Sequence, residues 1–115
     1  MSAREVCILV STSGAILWSD AGPSALALPD TRERWEAIWR NRDDLGWIVH
    51  SHPVGPRAFS YEDVTTMDAL DAALGRPMRY AVLAPDGLVV REGAQTGESN
   101  ERPWWCELLR LASGF

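Results

Sequence analysis

The chain has 115 residues, which suits one domain spanning 1–115 with a small core of its own. Hydrophobic residues make up 46%, which excludes a disordered chain, and no apolar run approaches the roughly 20 residues that a membrane span needs. A net charge of −5 argues against binding a phosphate backbone, so no nucleic acid is expected as partner; a neutral or basic protein suits it better.

The opening segment, MSAREVCILVSTSG, lacks a basic region, a long apolar core and a small-residue cleavage site, so no secretory signal is read there. Glu5–Ser11 reads as a buried strand and Thr12–Gly14 as a turn. Ala15–Asp20 then reads as a second strand, closing a hairpin. Gly22–Pro29 is a loop. Asp30 looks like a helix N-cap, with Glu33 completing a capping box. Trp35, Ile38, Trp39 and Arg42 recur at helical spacing, so a helix is expected to about Asp43, broken by Gly46. Trp47–His50 is a short strand, and Pro53, Gly55 and Pro56 force a loop.

Ser60 caps the next helix, whose face carries Val64, Met67, Leu70 and Leu74; Gly75 ends it. Arg79–Ala84 and Leu88–Glu92 flank Pro85–Asp86–Gly87, a hairpin signal. Gly93–Arg102 is polar and reads as a mobile segment. Pro103 suits a first helical turn, and Trp104, Trp105, Leu108, Leu109 and Leu111 mark the apolar side of a final helix. The order ββαβαββα implies an α/β chain of the α+β type, a mixed or antiparallel sheet with flanking helices.

Cys7 and Cys106 are far apart and form no CxxC pair, so they read as free thiols in a reducing cytoplasm. Six tryptophans is a high count for this length; most belong in the core, though the residue is also enriched at interfaces.

Both histidines stand in one stretch, WIVHSHPVGPRAFSYED. Residues two apart on a strand share a face, so His50 and His52 aim at one point if the extended backbone persists. Pro53 favours that, because a residue before proline is biased to extended conformations. Catalytic zinc takes three protein ligands and a water. Asp63, in the first turn of the following helix, can reach back as the third ligand. Ser60 and Asp63 also read as a capping box that needs no metal, and two histidines near a loop are commonly just half-exposed polar residues.

His50, His52, Pro53, Ser60 and Asp63 together resemble the signature HxHPx(6)SxxD of the JAMM (JAB/MPN+) metalloproteases, with every position at the family spacing. The family also uses a glutamate at the start of an N-terminal strand, and Glu5 before Val-Cys-Ile-Leu-Val-Ser fits that pattern. An acidic residue so near a terminus is otherwise an exposed charge at a frayed end. The resemblance covers most of the chain and implies the JAMM/MPN (cytidine-deaminase-like) fold. It departs in one respect: family members usually carry a helix before the glutamate strand. The resemblance therefore implies that the Trp104–Leu111 helix, or a partner or second copy, covers that part of the sheet.

The resemblance further implies one Zn²⁺ per chain on His50, His52 and Asp63, with Glu5 as general base and Ser60 stabilising the oxyanion. The implied substrate is the extended C-terminal tail of a ubiquitin-like or sulfur-carrier protein, lying beside the sheet by strand addition. Val54–Phe59 could line its path, and Trp18 or Trp47 could touch a partner. A metal-free scaffold or interaction module is the alternative. A cupin would need more strands, a histidine-triad hydrolase would need HxHxH, and an amidohydrolase barrel needs about 250 residues.

Overall fold

A computed structural model describes residues 3–115. The elements run β1 (Val6–Ser11), β2 (Ile16–Ala21), α1 (Arg32–Arg40), β3 (Leu45–Ser51), α2 (Tyr61–Leu74), β4 (Arg79–Ala84), β5 (Gly87–Glu92), β6 (Gln95–Ser99) and α3 (Trp105–Ser113). The class is α+β, with one mixed sheet of six strands ordered β2-β1-β3-β4-β5-β6 and three helices. Only β3 and β4 run parallel, joined through α2; the other neighbours are antiparallel.

Strand alternation divides the core in two. Cys7, Leu9, Ile48, Met78 and Tyr80 face one side and pack with Ala37 and Ile38 of α1 and Met67 and Leu70 of α2. Val6, Ile8, Val10, Val49, Ala81 and Leu83 face the other side and pack with Trp105, Cys106 and Leu109 of α3. The two cysteines are free, buried, and lie in opposite core clusters. Among the described residues no helix is long and apolar enough to cross a membrane.

Several sequence expectations are corrected. The segment expected to be mobile forms β6, so the order is ββαβαβββα. Its five residues are mostly exposed and show no apolar alternation; pairing with β5 makes them a strand. Thr31, not Asp30, caps α1: its hydroxyl accepts from the Arg34 amide, and no box with Glu33 forms. The helix ends at Arg40 rather than near Asp43, and Gly46 lies inside β3 instead of breaking a helix. There β3 passes so close to β1 that a Cβ on Gly46 would sit 2.9 Å from the Ser11 carbonyl oxygen. In α3 the buried side is Trp105, Cys106 and Leu109, while Trp104, Leu108 and Leu111 are exposed. The Ser60 cap and the left-handed Gly75 that ends α2 stand as expected.

The C-terminal helix covers the face of the sheet behind Glu5. It packs on β1, β3 and β4, and its Ser113 carbonyl accepts the Arg4 amide at 3.0 Å.

Candidate metal centre

β3 ends where the histidines begin to matter. His50 pairs in register with Cys7 of β1 and Val82 of β4, which fixes its height on the sheet. One residue past the strand, the His52 amide still donates to the Leu83 carbonyl at 2.8 Å, so the extended path continues and both imidazoles project from one face. Their Nε2 atoms are 3.2 Å apart.

α2 supplies the carboxylate. Ser60 and Asp63 form a full capping box: the Asp63 amide donates to Ser60 Oγ at 3.0 Å, and the Ser60 amide donates to Asp63 Oδ2 at 2.8 Å. The same Oδ2 lies 3.2 Å from His50 Nε2 and 3.5 Å from His52 Nε2. The cap and the ligand cluster are therefore one arrangement, and the carboxylate is fixed by the backbone before any ion binds.

The Pro56 carbonyl lies 2.9 Å from His52 Nδ1 and can only accept, so it holds the ring proton there and turns the lone pair of Nε2 inward. That lone pair meets the carboxylate oxygen and the second imidazole, and either a proton on His50 Nε2 or a bound cation serves as the donor between them. Burial alone would lower the His52 pKa, but the Asp63 carboxylate and the Pro56 carbonyl raise it above its ordinary value. Burial alone would raise Asp63, yet hydrogen bonds from His50 and His52, the charge of His50 and the Ser60 amide hold it well below the usual carboxylate range. Four ligands about 2.0–2.1 Å from a tetrahedral ion would be spaced about 3.3–3.4 Å apart. The observed edges of 3.2, 3.2 and 3.5 Å match that spacing. His50, His52 and Asp63 could thus hold a metal ion.

Glu5 belongs to the same cluster, not to a frayed end. It is 9% exposed, and its Oε1 lies 3.9 Å from His52 Nε2. Its backbone is clamped from both sides: its amide donates to the Ser24 carbonyl at 2.9 Å, and its carbonyl accepts the Gly22 amide at 2.8 Å. The next amide, Val6, donates to Ser51 Oγ at 2.9 Å. Burial raises the Glu5 carboxyl above its ordinary pKa against the pull of His52 and His50, and Asp63 adds to the rise.

Glu5, His50, His52, Ser60 and Asp63 all open into one cavity of about 640 Å³, walled by the loop after β2, α1 and α2. From the loop after the histidines, Gly55 and Pro56 reach that cavity, while Phe59 packs on the core beside His50 and Val54 points outward. Trp18 is half-buried against the core on the α1 side. Trp47 lies on the opposite face, tilted against Trp105 and under the Arg79 guanidinium.

The sequence reading missed three supports of this centre. One is the Pro56 carbonyl, which no side-chain pattern announces. Another is Ser51, whose position between two same-face histidines does put it on the opposite face. Its hydroxyl also accepts from Ser113 Oγ at 2.7 Å, a partner 62 residues away that no local signal reveals. The third is Arg57, which ties the loop carrying Pro56 to the Asp86 carbonyl at 2.9 Å and to Glu98 of β6 at 2.5 Å.

Compared with models of known families and with curated proteins, the chain matches none.

Proposed function

We propose that the chain is a zinc-dependent peptidase or isopeptidase of JAMM type with the corresponding MPN fold, cutting at the C-terminus of a ubiquitin-like or sulfur-carrier protein. The observation that carries this reading is the convergence of Glu5 with His50, His52 and Asp63 on one face of the sheet, inside a cavity. Two nitrogen donors and one oxygen donor at tetrahedral spacing suit Zn²⁺, with room for a water in the fourth position. A bound zinc ion would lower the pKa of its water and polarise a substrate carbonyl.

The residues then divide the remaining work. Glu5, with its raised carboxyl, accepts a proton from the attacking water and returns it to the leaving amine. Asp63 and His52 are held in place by the Ser60 amide and the Pro56 carbonyl, so little motion is needed to receive the ion. Ser60 uses its hydroxyl oxygen to accept the Asp63 amide, which leaves its proton available for the developing oxyanion. Two buried free thiols are consistent with a reducing cytoplasm.

Metal analysis of the purified chain should give about one zinc per chain. Zinc-loaded protein incubated with ubiquitin-fold proteins of its own genome should shorten a conjugate or precursor at the carrier's C-terminus, read by mass spectrometry. Glu5→Gln should keep the zinc and lose roughly 10²–10⁴-fold in turnover. Normal turnover by Glu5→Gln would remove Glu5 as the base, and a folded chain that binds no zinc would sink the reading.

A second reading, a non-catalytic interaction module, is favoured by the exposed Trp104 at the N-cap of α3 together with the exposed Leu108 and Leu111 of that helix. It predicts a partner complex that survives removal of zinc by chelator.

A further inference from the structure

The cavity at the metal centre extends well beyond its ligands, and its far wall differs from the ligand end. Leu28 of the loop, Trp35 and Ile38 of α1, Ile48 of β3, and Met67 and Leu70 of α2 line it. The cation in that wall, Arg34, is already paired. Its guanidinium makes bonds of 3.2 and 2.7 Å to the two oxygens of Asp20, one of 3.0 Å to the Pro29 carbonyl, and lies 3.6 Å from Asp30. Burial would lower its pKa, but the Asp20 hydrogen bond and the surrounding charges keep it raised, so it stays charged and committed to Asp20. It is not free to hold a substrate carboxylate.

The position of Glu5 orients a substrate in this cavity. The group that returns a proton to the departing amine must lie on the leaving side of the scissile bond. The loop joined to the Glu5 backbone through the Ser24 carbonyl and the Gly22 amide also lines the cavity, and Leu28 belongs to that loop.

Building on the hydrolase reading above, we infer that the cavity is a specificity pocket for the leaving residue. It takes an α-amino residue with a large apolar side chain, such as leucine, methionine or phenylalanine. The bond cut is then a linear peptide or amino-acid amide bond, not a lysine isopeptide. Water adds to the carbonyl carbon and the C–N bond breaks. The acyl side leaves as a carboxylate, and the amine departs with the proton carried by Glu5. An apolar side chain in the pocket displaces water from the aliphatic wall, whereas a lysine chain entering through its ε-amine would leave its α-amino and carboxyl groups facing that wall unpaired.

Two measurements separate the pocket from the catalysis. In the first, N-acetyl-leucinamide and N-acetyl-glycinamide are titrated into the full chain while the methyl resonances of Leu28, Ile38, Ile48, Met67 and Leu70 are followed. The leucine compound should shift them saturably and the glycine compound should not. Equal or absent shifts overturn the pocket, whatever the activity. In the second, zinc-loaded protein meets a set of acetyl-Gly-Gly-X amides and ε-(Gly-Gly)-lysine, with products read by mass spectrometry. Cleavage before leucine, methionine or phenylalanine should exceed that before glycine or aspartate by roughly tenfold or more in kcat/KM. Leu28→Arg should keep the zinc and shift preference toward aspartate. A flat profile, or preference for the isopeptide, overturns the inference and leaves the hydrolase intact. Leucine-specific methyl shifts with no peptide cut keep the apolar pocket and sink the hydrolase.

Discussion

β3 turns His50 toward one side of the sheet and Ser51 toward the other, and the two sides treat polar atoms differently. Under α3, Ser51 is fully buried, and its oxygen receives two donors, the Ser113 hydroxyl and the Val6 amide. Under α1 and α2, the His52 lone pair faces another imidazole nitrogen and a carboxylate oxygen, with its own proton already committed to Pro56. The first arrangement closes itself and stabilises the fold. The second is closed by one shared donor, a proton on His50 Nε2 or a bound cation. A buried polar group whose donors and acceptors pair off is structure; acceptors that must share one donor mark a candidate site.

The largest expected effect comes from breaking the clamp on the open side. A Cβ on Gly22 would lie 1.9 Å from the Ala27 carbonyl oxygen, so Gly22→Ala must displace the loop whose amide holds the Glu5 carbonyl. Overpacking of this kind costs about 1–3 kcal/mol. A shift of about 1 Å at Glu5 would lower turnover roughly 10²-fold. Zinc content should stay near that of the parent, because none of the three ligands is carried by that loop. Chemical denaturation, metal analysis and turnover on one preparation check this. Parent-like turnover would show that the loop does not position the base.

The convergence of His50, His52 and Asp63 was legible in the sequence because its instructions are local. Strand alternation aligns the imidazoles, and a capping box places Asp63; both act within a few residues. Glu5 was a weaker inference, since its burial depends on Ser24 and Gly22, which fold back from another segment. β6 was missed because its strand identity comes from β5; the available sign was Gly93 itself, which takes a left-handed φ of 59° in the turn before Gln95. The buried face of α3 was misread because two adjacent tryptophans admit two helical phases about 100° apart, and only packing against β1 and β3 chooses between them.

A middle-sized effect tests the closed side. Ser51→Ala leaves the Val6 amide and the Ser113 hydroxyl buried without a partner, at a cost of about 1–3 kcal/mol. Ser113→Ala removes one donor and leaves Ser51 with the other, costing about 0.5–1.5 kcal/mol. The double variant should cost clearly less than the sum, since both act on one hydrogen bond. Urea unfolding of the four proteins measures the coupling. Exact additivity would deny the link between α3 and β3. Zinc content should be unchanged throughout, which separates the two faces again.

The smallest effect concerns the two thiols, one behind each face. Cys7 pairs in register with His50, yet burial pushes its thiol up to about 12, so it stays protonated beneath the centre instead of joining the ligands. Burial raises the Cys106 thiol too, with Arg102 and Arg110 opposing part of that rise and Glu107 adding to it. A raised folded pKa means that the unfolded chain releases its proton first. The unfolded state then binds fewer protons than the native one, so stability falls as pH rises. For Cys7 that stability is complete below pH 9.0 and is lost toward pH 12, by at most about 1.4 kcal/mol per pH unit. Cys7→Ala lowers stability at pH 7 by leaving a small void, but it should flatten the decline between pH 9 and 10 more than Cys106→Ala does. Below pH 10 this comparison is clear of Tyr80, whose ordinary value is 10.0 and which burial and Asp71 raise further. Equal alkaline slopes in the two variants would mean that the face carrying the histidine cluster is no better sealed from water at Cys7 than the opposite face is at Cys106.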